Sequence, residues 1–376
     1  MLVSAAHLVH DIYTGFLPPL LPILVERLGI GYTVAGLLAV LQRVPTLLNP
    51  LVGAMAEHLS PRRLMVGAIL CTSVAMSLLG TAPGPVSLGG LLLVTGISAA
   101  VFHVPSPVMI RRLAGTRLGH GMSLFMLGGE TARTLGPLVI LAAVSLWGID
   151  GTWRLIPFGL AMALVLNRGL ARTFSRFSAS PRRRTPAAPA ARRARRFFFL
   201  VGGYLLCRAG IKAALTIFLP VYMRQRGFTL WGAGVSLSVL QFSGAAGTLC
   251  WGAWSDALGR RKTLMLAGIL TPLFMLGFSA SSGLIGWGFL VVLGFTLFAQ
   301  GPVLLALVQD VGGRRPEFFN AVYMTVNFII NALAVLALGW GGDRFGMLSV
   351  VPFTAVPGFA ALFFAWKMKN AAVEGI

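Results

Sequence analysis

Apolar runs of about twenty residues, each broken by a short polar stretch, fill this chain from end to end. A helix needs roughly 20 such residues to cross the ~30 Å hydrocarbon core of a bilayer. Twelve runs are legible, at approximately 4–25, 33–56, 64–82, 87–110, 120–146, 154–171, 197–222, 230–253, 263–281, 284–308, 317–338 and 347–366. Lipid offers no hydrogen bonds to an open backbone, so each run is predicted to be a helix. The fold class is therefore all-α integral membrane, with twelve transmembrane helices. Only one polar segment is long. It runs from Arg168 to Arg196, rich in Arg, Pro, Ala and Ser, and it divides the chain into residues 1–171, a linker at 172–196 and residues 197–376. Each half carries six helices.

The halves repeat one another. Gly53-Ala-Met-Ala-Glu57-His58-Leu-Ser-Pro61-Arg62-Arg63 closes one apolar run, and Gly252-Ala-Trp-Ser-Asp256-Ala-Leu-Gly259-Arg260-Arg261-Lys262 closes another 199 positions later. Leu21-Pro22 to Gly29 matches Leu219-Pro220 to Gly227 at an offset of 198, and Phe102-His103 falls near Phe298-Ala299 at 196. A near-constant offset of half the chain length is the mark of duplication. It predicts two pseudo-symmetric six-helix bundles, related as parallel repeats about an axis along the membrane normal.

Composition agrees: 56% of residues are hydrophobic and 11% charged, against about 25% charged in soluble domains. A net charge of +21 would suit nucleic acid, but its placement excludes that reading. With the N-terminus in the cytoplasm, cytoplasmic loops and the tail hold 22 basic residues and the opposite side five, Arg27, Arg154, Arg224, Arg226 and Arg344. That is the positive-inside bias. It predicts a multi-pass protein of the inner (cytoplasmic) membrane with both termini cytoplasmic. The basic linker is expected to lie partly on anionic headgroups, making membrane lipids a partner. The first run lacks a basic leading region and a small-residue cleavage site, so it is read as a retained helix. Cys71, Cys207 and Cys250 lie in apolar runs without pairing or metal spacing and are read as small core residues.

The repeated loop motif resembles the signature of the Major Facilitator Superfamily, Gly-x-x-x-Asp-Arg-x-Gly-Arg-Arg/Lys. Gly252, Asp256, Gly259, Arg260 and Arg261 follow it closely; Gly53, Glu57, Arg62 and Arg63 form a degenerate copy, with His58 and Ser60-Pro61 at variance. A narrower likeness is to the fosmidomycin-resistance-like subfamily. It rests on His7-Leu-Val-His10-Asp11-Ile-Tyr13, on Leu17-Pro18-Pro19-Leu-Leu-Pro22, on Phe102-His103-Val-Pro105, and on Gly121 to Glu130 followed by Leu135-Gly136-Pro137-Leu138. Asn49-Pro50 departs from the Gln-Pro expected there. The resemblance implies a secondary transporter of a small molecule that works by alternating access, with the loop motifs as a cytoplasmic gate. The glycine-proline pattern of helix 5 is similar to that of the superfamily's antiporters and implies export. Efflux of a small organic molecule or drug in exchange for protons is the leading expectation. Uptake of an organic anion is a rival, and a non-transporting receptor or lipid-handling protein is another. No phosphate-binding Gly-Lys loop occurs, so the energy source is expected to be an ion gradient. The chain is read as a monomer with no enzyme activity, no cofactor, no metal and no nucleic acid partner.

Ionisable residues inside a membrane are functional candidates because each costs ~2.5–3.5 kcal/mol to insert. Asp11 and Glu130 are the two embedded acids and, with His10, the candidates for carrying protons. Asp11 could instead bond Tyr13 or a neighbouring helix, and Glu130 could form an ion pair with Arg133, three positions on. Arg208 and Lys212, four apart on one face of helix 7, are expected to face the acids of the first half and to clamp an anionic or zwitterionic substrate. Arg43 could join them or neutralise Asp11. Tyr13, His103, Arg133, Asn327, Asn331 and Gln241 complete the substrate-binding candidates. His7, His10 and Asp11 can share one face and are read as a proton relay. Met109, Met122 and Met126 are read as core filler rather than soft-metal ligands.

Overall fold

The structure is a computed structural model that describes residues 1–49, 51–52, 59–114, 118–171, 195–312 and 316–373. No strand occurs among them. Eleven helices are long and apolar enough to cross a membrane: α1 (Leu2–Leu28), α3 (Pro61–Thr81), α4 (Pro85–His103), α5 (His120–Trp147), α6 (Ile149–Ala171), α7 (Arg195–Gln225), α8 (Leu230–Leu258), α9 (Arg260–Ala280), α10 (Gly283–Val311), α11 (Phe319–Phe345) and α12 (Met347–Met368). The second expected helix, α2 (Tyr32–Leu48), is shorter. Residues 172–194 of the linker expected at 172–196, and Gly53, Glu57 and His58, lie outside the described residues; the last two residues of that linker, Arg195 and Arg196, open α7 instead.

Several runs expected as single helices are interrupted, and proline is the local reason. Proline removes a backbone donor and disfavours the helical conformation of the residue before it. The first run splits into Leu2–Thr14 and Leu17–Leu28 just before Pro18-Pro19. The second changes from α-helix to 3-10 helix around Arg43, ahead of Pro45. The fourth ends at His103, before Pro105, and a short helix resumes at Ser106–Ala114. In α7 a π-turn at Ala214–Phe218 precedes Pro220. The breaks in α1 and α2 meet: Gln42 Nε2 donates to the Thr14 carbonyl, 3.0 Å away. A Cβ at Gly96 of α4 would collide with the Gln42 carbonyl and Pro45, so only glycine admits this crossing.

The described chain forms two compact units, Met1–Pro181 with Phe228–Ser238, and Arg182–Gly227 with Val239–Ile376. In the first, Val3, Ala6, Met65, Ile69, Phe102, Phe125 and Leu166 form a buried core joining α1, α3, α4, α5 and α6. In the second, Tyr204, Leu205, Leu264, Leu304, Val308, Tyr323 and Ala365 join α7, α9, α10, α11 and α12. Of the cysteines only Cys207 is buried; Cys71 and Cys250 are exposed rather than in the core.

Candidate functional site

In the first unit the chemistry gathers on the N-terminal half of α1. His7, His10 and Asp11 stand within one helical turn, so their side chains share a side of the helix. The side chain of Asp11 is 12% exposed, and three imidazoles surround its carboxylate. His10 Nδ1 lies 2.8 Å from Oδ1, His7 Nε2 3.2 Å from Oδ2, and His103 Nε2, arriving from the end of α4, 3.3 Å from Oδ1. Aromatic rings hold the imidazoles in place. His7 stacks on Phe125 at 4.0 Å between ring centroids and His10 on Phe102 at 4.3 Å. The outer ring nitrogens of His7 and His10 are also engaged. His7 Nδ1 is 2.7 Å from the Phe125 carbonyl, and His10 Nε2 is 3.1 Å from Thr72 Oγ1 of α3. Thr72 and Ser98 of α4 are 2.6 Å apart, and Ser98 Oγ donates to the Ala68 carbonyl at 2.6 Å. One ligand-type atom each of His7, Asp11 and His103 lies within 4.8 Å of the others, a spacing compatible with a cation as well as with shared protons.

Glycines of α5 make room for this face of α1. A Cβ at Gly128 would sit 2.7 Å from the Ser4 carbonyl oxygen, and one at Gly129 would sit 2.7 Å from His7 Cε1. Gly129→Leu is therefore expected to push the His7 ring off Asp11. We expect a loss of about 1–3 kcal/mol from overpacking, read as a lower Tm of the purified protein.

Other expected members of the first-unit site stand differently. Tyr13 is buried and donates its hydroxyl to the Leu155 carbonyl at 2.6 Å, not to Asp11. Glu130 pairs with Arg133 at 2.9 Å, the ion-pair alternative that their spacing allowed. Arg43 is exposed beside the α2 break; the partners of Asp11 are the three histidines.

The second unit buries a cation. Arg208 on α7 is 5% exposed, and among the described residues no carboxylate pairs with it. Its Nη1 is 3.4 Å from Gln300 Oε1 of α10. Gln300 is held in turn: the Tyr204 hydroxyl lies 3.1 Å from both Oε1 and the Leu264 carbonyl, which share its one hydrogen, and Nε2 donates to Thr271 Oγ1 of α9 at 2.8 Å. In this arrangement the amide oxygen faces the guanidinium. Lys212, one turn further on, is half-buried and engaged in its own contact. Gln241 of α8 has a buried Oε1 without a hydrogen-bond partner among the described residues. Asn327 and Asn331 bond to each other, Nδ2 to Oδ1 at 2.9 Å.

The loop motif of the second unit is an ion cluster. Arg260 bridges Asp256, the last acid of α8, and Asp310 of α10, whose Oδ2 is 3.4 Å from Nε; it also donates to Ser255 Oγ at 2.6 Å. Gly259 permits the turn with φ of 89°, and Gly252 has open space around it. Arg261 Nε is buried without a hydrogen-bond partner among the described residues. In the degenerate copy Arg62 Nε donates to Asn167 Oδ1 at 2.9 Å, and Arg63 is exposed. Asp310 thus has Arg260 as its partner; Arg314 and Arg315 lie outside the described residues.

Sequence reasoning passed over Thr72, Ser98, Gln42, Tyr204, Thr271 and Gln300. Tyr204 alone carried a signal, four residues before Arg208 on the same helix face.

Twelve apolar helical segments, with ionisable groups held inside each unit, define a multi-pass membrane transporter. The chain belongs to the Major Facilitator Superfamily, whose family model matches residues 3–335. It is 25% identical over 358 residues to the fosmidomycin resistance protein of Escherichia coli (strain K12), covering 91% of this chain and 86% of that one. It is 24% identical over 367 residues to the multi-drug resistance efflux pump PmrA of Streptococcus pneumoniae, covering 92% and 90%. A solved bacterial homologue of the human lysosomal transporter Spinster, inward-facing and unoccupied, shares the fold. Its TM-score is 0.83 at 13% identity, with 100% of this chain and 97% of that one covered. The family implies a small-molecule substrate.

Proposed function

We propose that the chain is a proton-coupled exporter of a small organic molecule in a bacterial inner membrane. It works as a monomer with both termini cytoplasmic and with its basic linker against anionic headgroups. The observation that carries this reading is the carboxylate of Asp11, nearly buried in a membrane helix and ringed by three imidazoles. Imidazoles gain and lose protons near neutral pH, and a carboxylate among them lets the charge move without leaving the site. Export is supported by the resistance and efflux names of the two curated relatives. Arg208 favours a substrate that carries an anionic group, because a buried guanidinium without a carboxylate is stabilised when a ligand supplies one. That same cation is the specific support for the rival direction, uptake of an organic anion.

The test is a drug panel, fosmidomycin included, on cells lacking their own exporters. Cells expressing the chain are expected to accumulate less of at least one compound, and an uncoupler that collapses the proton gradient is expected to erase the difference. Accumulation that rises on expression selects the uptake direction. Flux that is indifferent to the uncoupler removes proton coupling.

A further inference from the structure

The hydrogen bonds around Asp11 form a chain whose direction can be worked out. A carbonyl oxygen only accepts, and two oxygens 2.6 Å apart need a hydrogen between them. Ser98 therefore spends its hydrogen on the Ala68 carbonyl. The 2.6 Å contact between Thr72 and Ser98 must then use the hydrogen of Thr72. Thr72 has no second hydrogen, so across 3.1 Å to His10 Nε2 it can only accept. His10 must carry a hydrogen on Nε2. By the same logic His7 carries one on Nδ1, facing the Phe125 carbonyl at 2.7 Å. Each of these rings, when neutral, has already used its single N–H away from Asp11. Yet His10 Nδ1 is 2.8 Å from Oδ1 and His7 Nε2 is 3.2 Å from Oδ2. Each contact needs a further hydrogen; without it, two lone pairs face each other in a buried site.

We infer that Thr72 and Ser98 are positioning residues that turn Asp11, His7 and His10 into a store for two protons, and that His103 is the port through which the store exchanges. This rests on the proton-coupled reading above and adds a capacity and a direction to it. One stored proton lies between His10 Nδ1 and Asp11 Oδ1, the other between His7 Nε2 and Asp11 Oδ2. The route through Thr72 and Ser98 is closed, because it ends on a backbone carbonyl. His103 is 42% exposed, against 0% for His10, 8% for His7 and 12% for Asp11, and it touches the same Oδ1. A proton passes from Oδ1 to His103 Nε2 while the ring releases the hydrogen on Nδ1 to water; the loading step is the reverse. Among the described residues, the ionisable groups that face the carboxylate are these three imidazoles, two on α1 itself and one from α4. On the helices packed around them, Tyr13 of α1 is tied to Leu155, and Glu130 of α5 to Arg133. Arg62 of α3 is bonded to Asn167 of α6.

The experiment uses the full chain in nanodiscs with ¹⁵N-labelled histidine, whose ring signals report the tautomer. At high pH the wild type is expected to show His10 as the Nε2–H tautomer and His7 as the Nδ1–H tautomer. Thr72→Val removes the acceptor, so His10 is expected to flip to Nδ1–H and satisfy Asp11 without an extra proton. By pH-indicator dye that variant should take up one proton fewer per chain between about pH 9 and about pH 5. Ser98→Ala frees the Thr72 hydroxyl to donate and should give the same flip, and Thr72→Ser should restore the wild-type pattern. His103→Phe should slow uptake at least about ten-fold. His10 as Nδ1–H in the wild type, an unchanged count in both Thr72→Val and Ser98→Ala, or a stoichiometric divalent metal lost in Asp11→Asn would overturn the store. An unchanged uptake rate in His103→Phe would overturn the port. None of these readouts needs transport, so the store stands or falls separately from the exporter reading.

Discussion

Asp11→Asn is expected to abolish transport driven by a proton gradient while leaving downhill exchange of substrate in place. The substitution is nearly isosteric, so the packing of α1 against α5 survives. Its chemistry does not. Three imidazole nitrogens lie 2.8–3.3 Å from the carboxylate oxygens; an amide offers one oxygen and puts an N–H₂ donor where the other stood. The imidazoles lose the charge they face, and charge-assisted bonds are worth about 1.5–3 kcal/mol each. Accumulation against a gradient in reconstituted vesicles should fall by at least about ten-fold, a loss of 1.4 kcal/mol or more. Counterflow of labelled substrate with no gradient should persist. Glu130→Gln is the control. Its carboxylate is already spent on Arg133, so the same assay should show the smaller loss. An Asp11→Asn protein that still concentrates its substrate would remove Asp11 from the coupling machinery.

Arg208→Met should separate function from stability in the opposite sense. Burying an uncompensated guanidinium is costly, and replacing a buried ionic group by an apolar one of similar volume is often neutral or stabilising by about 1–4 kcal/mol. The variant is expected to keep or raise its Tm. It is also expected to lose the stabilisation that anionic compounds confer on the wild type, with affinity falling about ten- to hundred-fold for a lost charge-assisted contact. Arg208→Lys should rescue only part, because a point charge cannot reproduce the planar fork. A drop in Tm with unchanged anion binding would make Arg208 a structural residue of the Tyr204–Gln300–Thr271 network.

The class of protein and its candidate chemistry were legible to different depths. Apolar run length depends only on composition and bilayer thickness, so the segment starts lie within about five residues of those observed, while the ends of the second, fourth and eleventh differ by seven or eight. Prolines marked where helices break, but not how the breaks pair. That Gln42 of α2 closes on Thr14 of α1 follows from Gly96 letting the backbones approach, a long-range fact. Asp11, His7 and His10 could be grouped in advance because one helical turn puts them together. Arg208 could be singled out because a charge deep in an apolar run is expensive wherever it ends up.

The sequence by itself determined the membrane-spanning helical class and pointed to His7, His10, Asp11 and Arg208 as ionisable groups inside it. These follow from local quantities: hydropathy, spacing and the cost of charge in lipid. Tertiary structure alone decided the partners. Arg43 and Asp11 look equally deep along their helices, yet three imidazoles hold the carboxylate, one of them 92 positions away. Glu130 and Asp11 look alike as embedded acids, yet one pairs with Arg133 and the other faces three imidazoles. Thr72, Ser98 and Gln300 are ordinary polar residues in apolar runs, and nothing in their spacing sets them apart. Hydrogen bonds act over about 3 Å and have a direction, so their meaning exists only once the helices that carry them are packed.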